Sequence, residues 1–144
     1  MKRDRLQILM PTLLVIDDQR TLRDALATFL ESEGYAVADA TNGRDAIVYL
    51  GSGQPVHTII VDLDMPIMDG WEFLRRQGRD RIWRTIPTFV ITGLTDAEQR
   101  RGELGDARVF QKPLDYEELL AALRAELDRA WADTRSTPID RTPE

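Results

Sequence analysis

Three aspartates follow the two most apolar stretches of the sequence, where a carboxylate contributes little to packing. Asp62 closes the stretch 58–61, and Asp17 and Asp18 close the stretch 13–16. Unbroken apolar runs of this length indicate strands that are buried on both faces, as in a parallel sheet. Sites in open α/β sheets form at the carboxyl ends of the strands. We therefore expect the three carboxylates to meet at one edge of a sheet.

Two further strand ends add a hydroxyl group and an amine at the same edge. Thr92 ends a predicted strand at 87–92 and is followed by Gly93, and a predicted strand at 107–111 leads into Lys112. Neighbouring carboxylates repel one another unless a cation intervenes. Mg²⁺ takes oxygen ligands, uses only one or two carboxylates and completes its shell with water and phosphate oxygens. The combination of carboxylates, ammonium and hydroxyl predicts a Mg²⁺ site that receives a phosphoryl group on an aspartate.

Strands and helices alternate along the chain, which predicts a parallel sheet with helices on both faces. The first helix has apolar residues at helical spacing, which predicts that Leu22, Ala25, Leu26, Phe29 and Leu30 form its inward face. Capping-box spacing marks three helix starts, Asp69 with Glu72, Thr95 with Glu98 and Asp115 with Glu118. The helix that follows Thr95 is polar and is predicted to end near Gly102 or Gly105. The other predicted strands are 12–17, 35–38 and 56–61.

Composition and length fit one ordinary domain of a globular protein. With 144 residues, we divide the chain into an N-terminal extension at 1–11, a domain at 12–131 and a disordered tail or linker at 132–144. The net charge of −6 argues against a nucleic-acid partner, and the absence of cysteine excludes disulfides and thiolate sites. No apolar stretch is long enough to cross a membrane, and the basic start lacks a signal cleavage site, so we expect a cytoplasmic protein.

The strand ends together resemble those of response-regulator receiver domains of two-component signalling. The matching segments are 15–18, 61–70, 91–93 and 112–113, in order and at corresponding strand ends. The resemblance covers residues 12 to about 130 and implies a flavodoxin-like, doubly wound α/β fold. Its five parallel strands would have the order 2-1-3-4-5.

The resemblance also implies a role for each acid. Asp62 would be the phosphoacceptor, and Asp62 and Asp18 would bind Mg²⁺ directly. Asp17 would act through a coordinated water, and the backbone carbonyl of Asp64 would supply a further ligand. Asp18 is also expected to help cap the first helix.

The same resemblance implies roles on the opposite side of the crevice. Thr92 would hydrogen-bond a phosphoryl oxygen and move on activation, and Gly93 would leave space for the phosphoryl group. Lys112 would pair with the phosphoryl group, and its bond to Pro113 would be cis.

Val109 departs from the family pattern. Receivers usually have Tyr or Phe three residues before the lysine, and this side chain turns inward as the threonine moves. The nearest aromatic residue here is Phe110, and the two-residue period of a strand sends its side chain to the opposite face. The position of Val109 is therefore a switch position without the usual aromatic relay.

The partners implied by the resemblance are a sensor histidine kinase or a histidine phosphotransfer protein, and an unknown downstream protein. A homodimer through the predicted fourth helix, fifth strand and fifth helix is a further expectation. Only about a dozen residues follow the fifth helix, too few for a DNA-binding helix-turn-helix. We therefore expect output through protein contacts, a phosphorelay intermediate, or a chain cut from a longer protein. We expect the protein to be a phosphoacceptor rather than an enzyme. We also expect that it binds neither nucleic acid nor membranes.

Two other functions remain open at this point. The sequence Asp62-Leu63-Asp64 resembles the nucleophile motif of haloacid-dehalogenase-type phosphatases, although that motif normally lies on the first strand. A pseudo-receiver would keep the fold as a binding module without phosphorylation. His57, the one histidine in the sequence, is interpreted as a partly exposed residue at a strand start.

Overall fold

Five parallel strands form one sheet in the order β2-β1-β3-β4-β5. The structure is a computed structural model, and it describes residues 10–93, 97 and 99–136. The strands are β1 (Thr12–Ile16), β2 (Ala36–Ala40), β3 (Thr58–Asp62), β4 (Thr88–Thr92) and β5 (Arg108–Gln111). The α-helices are α1 (Arg20–Ser32), α2 (Gly43–Gly51), α3 (Gly70–Arg79) and α4 (Tyr116–Ser136), and 3-10 helices occupy Trp83–Thr85 and Arg101–Leu104.

Two apolar clusters cover the two faces of the sheet, as a doubly wound fold requires. Successive residues of each strand contribute to opposite clusters, so that Leu14 and Ile16 lie on one side and Leu13 and Val15 on the other. The first cluster includes residues of α2 and α3, and the second includes residues of α1 and α4. The predicted fold class and strand order are confirmed.

The pairing register of β1 with β3 places the carboxyl ends of the two strands side by side. Ile16 pairs with Val61, so Asp17 and Asp62 follow at the same edge of the sheet. The chain leaves β1 toward β2 on one side and reaches β3 on the other, which makes this edge the point where the strand order reverses. Crevices that bind ligands open at such points.

The first helix is rotated relative to the prediction. Leu26 and Leu30 are buried as expected, but Leu22 is 42% exposed and Ala25 is exposed, whereas Arg23 is buried. The inward face therefore begins at Arg23 and continues through Leu26 and Leu30; the polar contacts of Arg23 are described below. The expected cap is also wrong, since Gln19 occupies the N-cap position and Asp17 rather than Asp18 accepts a hydrogen bond from the Gln19 N–H, at 2.9 Å.

The connection between β4 and β5 differs from the predicted helix. The proposed start at Thr95 and Glu98 lies outside the described residues, and in the rest of this connection the structure has turns and the 3-10 helix Arg101–Leu104. Two glycines in a short span disfavour an α-helix there, and Gly105, at φ +62°, ends the turn. The surface expected for a homodimer thus has a 3-10 helix where a fourth α-helix was predicted.

The last helix is longer than predicted. α4 continues to Ser136, beyond the domain boundary placed at residue 131. Its start agrees with the prediction, because Asp115 accepts the Glu118 N–H at 3.1 Å. Asp69 likewise accepts the Glu72 N–H at the start of α3, at 2.9 Å. No helix in the described part of the chain is both long and apolar enough to span a bilayer.

The loop after Asp62 is held by the first residues of two helices. The Gly43 N–H, at the start of α2, donates to the Met68 carbonyl at 2.9 Å, and the Gly70 N–H, at the start of α3, donates to the Leu63 carbonyl at 3.0 Å. A Cβ atom at Gly43 would lie 2.8 Å from Met68 Cγ, and one at Gly70 would overlap the Asp62 carbonyl and lie 2.7 Å from Leu63 Cα. Both glycines permit close approach to this loop.

Replacing Gly70 with Ala should destabilise the fold by about 3 kcal/mol, because the added methyl meets backbone that has no room to move. Gly78 in the same helix is the matched control. No atom of the described residues lies within 4 Å of a Cβ placed there, so Gly78→Ala should raise stability by about 0.5–1 kcal/mol. Urea unfolding of both variants measures the difference, and equal stabilities would contradict the close approach at Gly70.

Candidate functional site

The three predicted acids converge at the carboxyl edge of β1 and β3. Asp17, Asp18 and Asp62 each place a carboxylate oxygen within 4.8 Å of the others. Asp62 is 5% exposed and Asp17 is 9% exposed, whereas Asp18 is open to solvent. This gradient of burial leaves the group accessible from one side, where Asp18 lies.

Lys112 reaches the two buried acids from β5. Its Nζ atom lies 3.5 Å from Asp62 Oδ2 and 3.6 Å from Asp17 Oδ2. Its backbone N–H donates to the Thr92 carbonyl at 2.9 Å, which ties the end of β5 to the end of β4. The peptide bond between Lys112 and Pro113 is cis, as the resemblance implied. The ammonium group therefore balances part of the negative charge in the cluster.

The electrostatics of Asp62 reflect its burial. Desolvation is the main cause that raises its pKa from the ordinary 3.8 to about 6, and the charge of Asp17 adds to the rise. Lys112 and the Asp64 N–H, which lies 3.4 Å from Asp62 Oδ1, act in the opposite direction. Burial thus outweighs the nearby ammonium, and the ionised Asp62 is a poorly solvated carboxylate.

A pH-dependent stability follows from this raised pKa. Protonation of Asp62 stabilises the fold, so its contribution is fully present below about pH 3.8 and is lost as the pH rises through about 6. Asp62→Asn keeps a neutral side chain at every pH. Without divalent cations it should be more stable than the wild type by about 2–3 kcal/mol at pH 7, and equally stable near pH 4. Urea unfolding in EDTA measures this, and a less stable variant at pH 7 would contradict it.

A cleft of about 650 Å³ opens above the acids. It receives residues from the ends of four strands and the loops that follow them: Asp18, Gln19, Asp62, Asp64, Met65, Pro66, Gly93 and Lys112. Among the described residues, a Cβ atom at Gly93 would meet Lys112 Cβ, at the ordinary contact distance of 3.9 Å. The volume beside Asp62 is ample for a phosphoryl group.

Neither of the two predicted switch positions, Thr92 and Val109, is among the residues that line this cleft. Thr92 is fully buried at the end of β4. Val109 is half-buried and packs in the cluster of α2 and α3, whereas Phe110 lies in the opposite cluster and contacts Phe89 edge to face, with 5.7 Å between the ring centroids. The predicted separation of Val109 and Phe110 onto opposite faces is confirmed.

Arg23 and Gln19 are residues near the site that the sequence analysis did not single out. The guanidinium Nη1 of Arg23 donates to the Asp17 carbonyl at 2.8 Å. The sequence contained one signal for Arg23. It precedes Leu26 by three positions and Leu30 by seven, so it lies on the same helical face as these two buried leucines.

His57 has an ordinary structural role. Its Nδ1 accepts a hydrogen bond from the Thr12 N–H at 2.9 Å, and burial lowers its pKa.

Comparisons with known proteins agree with the geometry. A family model described as the response regulator receiver domain matches residues 13–124. The response regulator MprA of Mycolicibacterium vanbaalenii is 36% identical over 84% of this chain and 52% of its own length. The phosphate regulon transcriptional regulatory protein PhoB of Pseudomonas aeruginosa is 31% identical over 90% of this chain and 57% of its own. The chain thus spans about half the length of these curated relatives.

A solved structure gives the same result at the level of the fold. The signal receiver domain of a signal transduction histidine kinase from Syntrophus aciditrophicus superposes with a TM-score of 0.76. It is 29% identical, and the match covers 92% of this chain and 95% of that domain. With the family model covering most of the sequence and the acids, lysine and strand order in place, the chain belongs to the response regulator receiver domain family.

Proposed function

We propose that this receiver takes a phosphoryl group onto Asp62 with the help of Mg²⁺ and then changes its contacts with a downstream protein. The donor would be a phosphohistidine of a sensor kinase or of a phosphotransfer protein. The observation that carries the proposal is the meeting of three carboxylates and one ammonium at a single open cleft. The four residues come from three different strand ends, so ordinary packing does not explain their convergence.

The donor set fits Mg²⁺. Three clustered carboxylate oxygens repel one another, and a hard divalent cation relieves this repulsion. Asp18 and Asp62 would bind the ion directly, Asp17 through water, and the Asp64 carbonyl would complete the protein ligands. Bound Mg²⁺ would supply positive charge to the phosphoryl oxygens.

The protein's own groups account for the remaining steps. A carboxylate oxygen of Asp62 forms a bond to phosphorus while the bond from phosphorus to the imidazole nitrogen of the donor breaks. The electron pair of the broken bond stays on that nitrogen. Lys112, 3.5 Å from Asp62, is placed to pair with the transferred oxygens. Burial of Asp62 leaves the ionised carboxylate with few water contacts to lose before it attacks.

The output would pass through the segment that follows Thr92. Among its described residues, Arg100 stacks over Trp71 of α3 at 3.8 Å from the ring centroid, and Glu103 pairs with Arg75 of α3 at 3.7 Å. A shift of Thr92 toward the phosphoryl group would be transmitted to these contacts. Val109 has no aromatic ring to turn inward, so this connection is the better candidate for the switch.

The test is phosphorylation by acetyl phosphate in Mg²⁺, followed by intact mass spectrometry. One phosphoryl mass should be added, and EDTA should prevent the addition. A folded protein that gains no mass in Mg²⁺ would contradict the proposal and favour the pseudo-receiver, a binding module without phosphorylation. Capture of protein partners with and without beryllofluoride would then identify the downstream target.

A further inference from the structure

Arg23 is a charged side chain buried where α1 packs on the sheet. Its side chain is 10% exposed and shares a helical face with Leu26 and Leu30. Burying a guanidinium costs solvation free energy, and an apolar residue of similar size is often equally stable in such a position. Packing alone therefore does not explain an arginine here.

Two acceptors meet the guanidinium. Nη1 donates to the Asp17 carbonyl at 2.8 Å, and Nε donates to Asp39 Oδ2 at 3.2 Å. Asp39 lies near the end of β2 and its side chain is 55% exposed, so most of its charge is solvated. The bond to the Asp17 carbonyl is the short and buried one, and it acts directly on the backbone of the acidic pair.

The position of that carbonyl decides where Asp18 lies. β1 ends at Ile16, and the Asp17 N–H still bonds to the Ala40 carbonyl, at 3.1 Å. The Asp17 carbonyl, in contrast, accepts a hydrogen bond from the Arg23 side chain rather than from a neighbouring strand. Because the peptide unit is planar, fixing this carbonyl also fixes the direction in which the chain enters Asp18.

We propose that Arg23 is a positioning residue for the Mg²⁺ site: it orients the peptide between Asp17 and Asp18 so that both carboxylates face Asp62. The proposal rests on the proposed function. Partners of metal ligands that set ligand orientation typically change metal affinity by tenfold or more when removed. A role in charge balance alone predicts the opposite sign, because removing a nearby cation would strengthen Mg²⁺ binding.

The test compares Arg23→Met with Arg20→Met by isothermal titration with Mg²⁺ alone. Both variants remove one positive charge from α1, and Arg20 is a suitable control because its side chain is 85% exposed and paired with Asp24. Arg23→Met should bind Mg²⁺ about tenfold more weakly than the wild type, and Arg20→Met within about twofold of it. Equal or tighter binding by Arg23→Met would overturn the proposal.

Two more variants separate positioning from general stability. Asp39→Asn removes the ion pair but leaves the bond to the Asp17 carbonyl, so Mg²⁺ affinity should stay near that of the wild type. A loss as large as that of Arg23→Met would overturn the proposal. If Arg23→Met does not fold, Arg23→Lys replaces it, since an ammonium keeps the charge but lacks the fork that meets both acceptors. Its Mg²⁺ affinity should fall several-fold, and an unchanged affinity would likewise overturn the proposal.

The wild type separates the two hypotheses. A wild-type protein that fails to bind Mg²⁺ would overturn the proposed function and the role of Arg23 with it. Wild-type binding together with an unaffected Arg23→Met would overturn only the role of Arg23.

Discussion

Asp62→Asn should abolish phosphorylation by acetyl phosphate in Mg²⁺, with no phosphoryl mass added to the intact protein. The amide has no nucleophilic carboxylate oxygen, so the covalent step is lost rather than slowed. Because burial penalises the ionised Asp62, the same variant should remain folded at pH 7. The combination of a stable fold and complete loss of labelling distinguishes the loss of a nucleophile from unfolding.

Asp24→Asn is the matched control for this experiment. It makes the same chemical change on α1, where the Asp24 side chain is 60% exposed. This control should be labelled like the wild type. Labelling of Asp62→Asn at the wild-type level would place the acceptor on another residue and would remove the main support for the proposed function.

Lys112→Met should slow phosphorylation by about a hundredfold. This is the loss expected when a charged group that stabilises the negative charge developing on the phosphoryl oxygens is removed. The same change should strengthen Mg²⁺ binding, because the ammonium lies 3.5 and 3.6 Å from the two buried acids and competes with a cation. Rates are measured at pH 8 in saturating Mg²⁺, which keeps Asp62 ionised. A lower rate with higher affinity is a result that local unfolding does not produce.

Arg129→Met controls for the loss of a positive charge. Arg129 is 67% exposed on α4 and pairs with Glu126 of the same helix, so neither rate nor affinity should change by more than about twofold. A wild-type rate in Lys112→Met would mean that the lysine only balances charge in the resting protein.

The parallel sheet, and the cluster of acids at the carboxyl ends of its strands, were predictable because both depend on local sequence patterns. Apolar runs located β1 and β3, and the polar residues that end them lie on the same edge of a parallel sheet. The convergence of Asp17, Asp18 and Asp62 follows from this shared direction together with the adjacency of β1 and β3 in the strand order. The separation of Val109 from Phe110 followed equally simply, from the two-residue period of β5.

The errors arose where a polar contact or a close approach determines the structure. Hydrophobic spacing placed Leu22 on the inward face of α1, but Leu22 is exposed, and Arg23, which donates to the Asp17 carbonyl, is buried with Leu26 and Leu30. Capping preference suggested Asp18, whereas the Asp17 carboxylate accepts the Gln19 N–H. Spacing also predicted a helix before β5, where Gly102 and Gly105 favour a tighter turn. Each of these outcomes depends on a specific polar contact or turn geometry that hydrophobic spacing and capping preference do not encode.

The receiver family assignment narrows the alternatives that the sequence left open. A haloacid-dehalogenase-type phosphatase loses its basis, since the match over residues 13–124 is to receivers and the Asp62-Leu63-Asp64 motif begins at the last residue of β3, with the acidic pair after β1. The pseudo-receiver is a question of chemistry rather than of fold. The labelling experiment decides it.

The glycines that start α2 and α3 have a consequence for genetics. Gly43 and Gly70 carry no functional group, yet both touch the loop that follows Asp62. A random screen for lost signalling would therefore be expected to recover substitutions at these two positions alongside those at the acids. Such alleles would be misread as active-site lesions if classified by phenotype alone, although their defect is steric and their acidic residues are intact.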